Sequence, residues 1–303
     1  MQRLFMAFVS LFMTLLGFVA GMSGDARTTE LLGQARAALG GEGTLAKVQG
    51  LTLTGALMRA LPDRSLTGEL TLDIQLPDKM LRTDSMSPMG DATIVTETGI
   101  NGDKLLRNSR TIGGGPNMVI RIPGPPAAGS DAEAQALRNS RAELARLSLG
   151  LLLAAPTSTP LEFSYGGEAE ADDGKADVID ARGPNGFAVR LFLDKKTHRP
   201  LMMLYKGVAP GMVMRTATQR SDGPPDPARA ERAARDAAAA HDATPPPQPI
   251  VDINMFFDDY KQVDGVWLPH HVTRSVDGKP TEEWTFKTIK LNPAFKPDTF
   301  SSK

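Results

Sequence analysis

The chain of 303 residues contains no cysteine. That excludes a disulfide framework, so stability outside the cytoplasm has to come from a sizeable hydrophobic core. It also excludes a bacterial lipid anchor, which is attached through a cysteine. Charge of one sign is lacking too: 34 Lys and Arg stand against 35 Asp and Glu, for a net charge of −1. The two signs are interspersed, which argues against nucleic acid, whose readers carry a basic stripe, and against strong attachment to anionic lipid surfaces. Catalytic signatures are missing as well. There is no G-x-S-x-G and no thiol nucleophile. Gly113-Gly114-Gly115 is followed by Pro116-Asn117 rather than Lys-Ser or Lys-Thr, and no helix opens there, so it does not read as a phosphate loop.

The remaining polar candidates carry no chemistry by their spacing. His270 and His271 are adjacent on a predicted strand, so their rings face opposite ways and cannot share an ion. His198 falls in a turn and His241 in a Pro/Ala-rich stretch; surface or rim positions are expected for all four histidines. Asp258 and Asp259 likewise face apart, and with Asp252 and Asp264 they read as solvated edges rather than a paired-carboxylate site. No catalytic residue, metal site or cofactor is expected, and the protein is not expected to be an enzyme.

What is present begins at the N-terminus. Arg3 is the only charge before Asp25, Leu4 to Ala20 is almost unbroken apolar sequence, and Gly21, Ser23, Gly24 and Ala26 follow. This pattern predicts a secretory signal peptide over 1–24. The alternative is a retained N-terminal anchor, since about 18 apolar residues barely span a bilayer. Either reading places residues 25–303 in the periplasm, not as a lipoprotein. Elsewhere the longest apolar run is Leu147 to Ala155, too short to cross a membrane.

From Leu51 onward the apolar period is two. Leu66, Gly68, Leu70, Leu72, Ile74 and Leu76 fall on one face, with Thr67, Glu69, Thr71, Asp73 and Gln75 on the other, as in a half-buried antiparallel strand. The alternation recurs at Leu51, Leu53 and Leu57, at Leu161, Phe163 and Tyr165, at Phe187 to Leu193, and at Val251 to Phe257. Segments 80–86, 92–100, 176–181, 199–206, 212–218, 266–274 and 282–291 read as further strands. Turn residues such as Asn101-Gly102, Asp264-Gly265 and Asp277-Gly278 join them. The expected fold is mainly β within α+β: one curved antiparallel sheet of about ten or eleven strands.

Two helices are available to cover it. Residues 28–39 end in Gly40-Gly41, with Thr28 or Thr29 as N-cap. Residues 131–155 carry Ala134, Leu137, Leu144, Leu147 and Leu151 on one stripe, with Asp131 as cap and Pro156 as stop; Leu149 to Leu153 is apolar almost all round. Residues 219–249 hold seven prolines and nine alanines with scarcely any large apolar side chain. They read as an exposed insertion within one domain spanning 25–303, because they cannot bury enough area to offset ordering. Ile112 to Ser130 reads as a smaller flexible loop.

Residues 38–55 (ALGGEGTLAKVQGLTLTG) and the block DDYKQVDGVWLPHHVTRSVDG, then EEWTFKTIKLNPAFKPDTF, resemble the lipoprotein carrier (LolA/LolB-like) superfamily, in particular its lipoprotein-sorting-like envelope members. The resemblance implies an unclosed antiparallel β-barrel lidded by helices, with acyl chains of lipids or lipoproteins as partners. No functional residue of the family can be matched to this chain one by one.

The candidate lining is the dry face: Leu53, Leu57, Leu70, Leu72, Ile74, Phe163, Val189, Leu191, Met255 and Phe257. Each is either plain core or part of a lipid-binding cavity that two helices are too narrow to fill. Methionines, including Met202, Met203, Met212 and Met214, suit an adaptable lining. The expected function is an extracytoplasmic lipid or lipoprotein carrier. The alternative is a non-catalytic docking or regulatory module of the same fold, contacting an envelope protein partner.

Overall fold

The computed structural model describes residues 23–89, 92–113, 129–171, 174–208 and 249–301. All of the predicted 1–24 leader but Ser23 and Gly24, the segment 212–218, nearly all of the 219–249 insertion and most of the 112–130 loop lie outside the described residues. Among the described residues, twelve strands pair antiparallel in one sheet: β1 (Gly50–Ala60), β2 (Ser65–Gln75), β3 (Lys79–Met89), β4 (Ala92–Asn101), β5 (Lys104–Ile112), β6 (Glu162–Ala171), β7 (Gly174–Arg182), β8 (Ala188–Asp194), β9 (Pro200–Val208), β10 (Ile250–Val263), β11 (Val266–Val276) and β12 (Lys279–Leu291). The strand beyond expectation is β5. Its sequence, KLLRNSRTI, has no clean alternation because it is an edge strand wet over most of its length.

Across the sheet the order is β5-β4-β3-β2-β1-β12-β11-β10-β9-β8-β7-β6. Two meanders, β1–β5 and β6–β12, are thus stitched together where β1 meets β12, from Leu51↔Leu291 to Arg59↔Glu282. The outer strands β5 and β6 do not pair with each other, so the curved sheet remains an unclosed half-barrel. The hairpins follow the expected turn chemistry. Asp264-Gly265 and Asp277-Gly278 both take positive φ, the backbone that matches strand twist in tight turns.

Helix α1 (Ser23–Leu39) starts before the predicted 28–39, which places Thr28 and Thr29 inside it rather than at its cap. It ends where expected: the Gly41 amide donates to the Arg36 carbonyl at 2.9 Å, and both Gly40 and Gly41 have positive φ. A single turn, α2 (Glu42–Leu45), leads into β1. Helix α3 (Asp131–Leu152) is capped by Ser130, not Asp131. The Ser130 hydroxyl accepts from the Glu133 amide, while the Glu133 carboxylate accepts from the Gly129 amide at 2.6 Å. It stops at Leu153, which is left-handed (φ 50), before Pro156 is reached.

Leu31, Leu32, Ala35 and Leu39 of α1 and Leu144, Leu147 and Leu151 of α3 join the inner residues of the sheet in one core. Only the C-terminal half of the α3 stripe is dry: Ala134 is exposed and Leu137 half-buried. A smaller cluster, Ala176, Val178 and Phe192 with Met202 and Leu204, lies on the opposite face of β7–β9. Among the described residues, no helix is long and apolar enough to cross a membrane.

Candidate ligand-binding site

The chain leaves β5 at one edge of the sheet and re-enters at β6 on the other, so α3 has to cross the inner face. Its C-terminal half packs down, and the ring of Phe257 on β10 lies where a Cβ on Gly150 would be. The N-terminal half rides higher and leaves a void on each side.

Nine of the ten predicted lining residues are no more than 3% exposed, and Phe163 is half-buried; all ten belong to or pack on one cluster. Leu70 and Leu72 border the void on the β2–β4 side, a cavity of about 220 Å³. Val189 borders the other, a groove of about 860 Å³ at the ends of β7–β10. Leu53, Leu57, Ile74, Phe163, Leu191, Met255 and Phe257 border neither. Met203 is in the core, and Met202 belongs to the cluster on the opposite face. Met212 and Met214 lie outside the described residues.

The smaller cavity has an apolar floor of Leu70, Leu72 and Met80, with Leu147 above and Trp284 at one wall. Its polar wall is Arg82, Glu143 and Arg274. The larger groove is lined by Phe187, Val189, Tyr205 and Ile253, and its rim is basic. Arg138, Arg141, Arg182, Arg190 and Lys206 outnumber Asp180 and Asp252 there. Asn139, Glu143 and Arg274 border both voids.

These polar walls belong to a chain of buried ion pairs that the dry-face reading missed. On the inner face Glu282 of β12 accepts from Arg82 and from Arg59, each at 2.6 Å, and Arg274 lies 3.7 Å from its other oxygen. Asp84 holds Arg82 at 2.7 Å and Arg59 at 2.9 Å. Arg274 continues to Glu143 on α3, which also takes Arg146 at 3.2 Å. The Arg274 and Arg82 guanidiniums lie 4.5 and 5.1 Å from the centre of the Trp284 ring, and Arg146 stacks 4.1 Å from that of Tyr205. Burial alone would push the Glu282 carboxyl up, but Arg82 and Arg274 outweigh it and hold it far below the usual carboxylate range. Glu143 is lowered in the same way, with Arg274 and Arg146 overcoming its desolvation.

Four guanidiniums meet three carboxylates along this chain, leaving one positive charge in excess. Within it, the Nε atoms of Arg274 and Arg146 and the indole Nε1 of Trp284 are buried with no hydrogen-bond partner among the described residues. A buried donor left unpaired costs about 1–3 kcal/mol. The sequence did carry a signal: Arg82 and Asp84 stand in phase with Met80 and Met86, and Glu282 with Trp284 and Phe286, at positions that alternation assigns to the dry side.

Other polar candidates fall as follows. His270 is buried rather than at the rim, its Nδ1 3.2 Å from the Leu268 carbonyl, because it shares the inner phase of β11. Asp252 pairs with Lys206, and Asp259 with Lys261, both at the surface. Among the described residues no three His, Asp or Glu side chains converge as metal ligands would.

No family model and no curated protein matches the chain. Among solved structures, it is similar to a LolA superfamily protein from Nitrosomonas europaea, with TM-score 0.45 and 9% identity over 91% of this chain and 97% of that one. A putative outer membrane lipoprotein-sorting protein domain from Vibrio parahaemolyticus gives 0.43 and 10% over 91% and 97%. A DUF1329 family protein from Desulfovibrio piger gives 0.45 and 10% over 90% and 96%. These are likenesses of overall fold.

Proposed function

We propose that this protein is an extracytoplasmic carrier that takes acyl chains of a lipid or lipoprotein into the space between the sheet and α3. The observation that supports this reading is the pair of voids flanking the N-terminal half of α3. Both are lined in part by apolar side chains of the inner face. Each methylene moved from water into such a place gains about 0.8 kcal/mol, so a chain of ordinary length is held without specific polar contacts. Leu70, Leu72 and Val189 are the candidate residues in direct reach of a guest. The other seven border neither void. The reaction is transfer without covalent chemistry.

The test is the mass of the exported full chain, measured natively and then after denaturation. The native mass is expected to exceed the denatured one by that of an acyl-bearing molecule. Equal masses, with no uptake of a fluorescent fatty acid by the purified protein, would overturn the carrier reading and favour the docking module. The denatured mass also reports whether the leader has been removed.

A further inference from the structure

The small cavity is not the wholly apolar slot that a hydrocarbon tail needs. One of its walls is the buried end of an ion-pair chain with one guanidinium more than it has carboxylates. Two guanidiniums of that chain, Arg82 and Arg274, line the cavity against the single carboxylate of Glu143. Surplus positive charge in a largely buried place is costly, and an anion that reaches the guanidiniums at this wall offsets it. On the opposite side the same void is greasy, through Leu70, Leu72 and Leu147. The occupant that matches both walls is an oxyanion joined to an apolar tail.

We propose that the cavity beneath α3 binds the anionic head of an amphiphile, a carboxylate or phosphate, against the guanidinium of Arg274. The tail runs along Leu70, Leu72 and Leu147. This rests on the carrier reading above and adds to it a substrate class: guests with an anionic head. A carboxylate head makes the ion-pair chain electroneutral by matching its surplus guanidinium. Arg274 contacts the head directly beside Arg82, the Trp284 ring forms the adjoining wall, and Arg59 helps to position Glu282 behind them.

Calorimetric titration of the delipidated full chain with octanoate, octyl phosphate and octan-1-ol tests the head with the tail held constant. Octanoate or octyl phosphate is expected to bind at least about tenfold more tightly than octanol, as a charge-assisted hydrogen bond implies. Acetate and inorganic phosphate, which lack the tail, are expected to bind far more weakly still. Trp284 is one of two tryptophans, so its indole ¹⁵N–H resonance reports the location and should shift with the anions. Arg274→Gln leaves three guanidiniums against three carboxylates and should abolish the preference for the charged head. The ligand comparison on the unsubstituted chain stands even if that variant fails to fold. Equal affinity for octanoate and octanol would overturn the head site and leave the carrier reading intact. Inorganic phosphate binding as tightly as octyl phosphate would identify a free-anion site instead and overturn the amphiphile. A shift at Trp267 with none at Trp284 would overturn the location. If none of the three octyl compounds binds, the head site falls, and the mass measurement judges the carrier separately.

Discussion

Glu282 is 3% exposed and accepts from two guanidiniums with a third close by. Glutamine in its place removes the negative charge that three largely buried guanidiniums share, whereas the pairs as they stand are close to balanced against their desolvation. Glu282→Gln is therefore expected to destabilise the fold by about 3–5 kcal/mol, measured by urea denaturation. A loss below about 1 kcal/mol, ordinary for an exposed pair, would contradict this placement. The same carboxyls set a pH dependence. Glu143 and Glu282 are both held below their usual value of 4.5, so they bind fewer protons folded than unfolded. Their contribution is complete above that value and is lost as the pH falls through it toward the lower folded-state values. Thermal melts should be nearly flat from about pH 7 to 5 with respect to these two groups and should drop below about pH 4.5. Glu282→Gln should flatten that drop; a melting temperature that rises on acidification would exclude the assignment.

At the scale of elements, β1 bends where its register against β12 slips between Thr54 and Gly55. A Cβ on Gly55 would lie 2.0 Å from the Thr285 carbonyl oxygen and 2.7 Å from the Phe286 Cα. Both neighbours are backbone and cannot turn aside as a side chain does. Gly55→Ala should cost about 1–3 kcal/mol in the same denaturation experiment, the cost usual for an overpacked site. An unchanged midpoint would mean the two strands can part there freely. Helix α3 divides similarly by its sequence. Leu144 to Leu153 packs against the sheet, while the stretch from Asp131 to about Glu143 is mostly polar and leaves space beneath it.

Considered whole, the sheet is two meanders joined by one long pairing, with β5 and β6 as its edge strands among the described residues. An uncovered edge templates pairing with other chains unless charges or irregularities protect it. Strand β6 carries both devices: Glu162, Glu168 and Glu170 along its exposed side, and a register shift between Tyr165 and Gly167, where Gly167 has φ 103. Replacing Glu168 and Glu170 together with Val should promote concentration-dependent association in sedimentation velocity, relative to the unsubstituted chain. Identical sedimentation at all concentrations would show that the glutamates do not guard this edge.

Much of the strand pattern was legible because it is local. The alternation from Leu66 to Leu76 follows from a two-residue backbone repeat, and the Asp-Gly turns follow from positive φ in tight hairpins. Each is decided by neighbours a few positions away. Where a residue's environment was set from afar, the sequence was silent or misleading. β5 lacks alternation because it is an edge, Ser130 rather than Asp131 caps α3, and His270 is buried because of the phase of β11 against its neighbours. By itself, then, the sequence determined a mainly β sheet and which side of each clear strand is dry. Only the tertiary structure decided that β1 pairs with β12, that α3 must cross from one edge to the other, and that space remains beside Arg274 rather than beside Leu53 or Met255. The physical reason is that backbone period and turn geometry are short-range, whereas leftover volume and net buried charge are small differences summed over residues far apart in the chain.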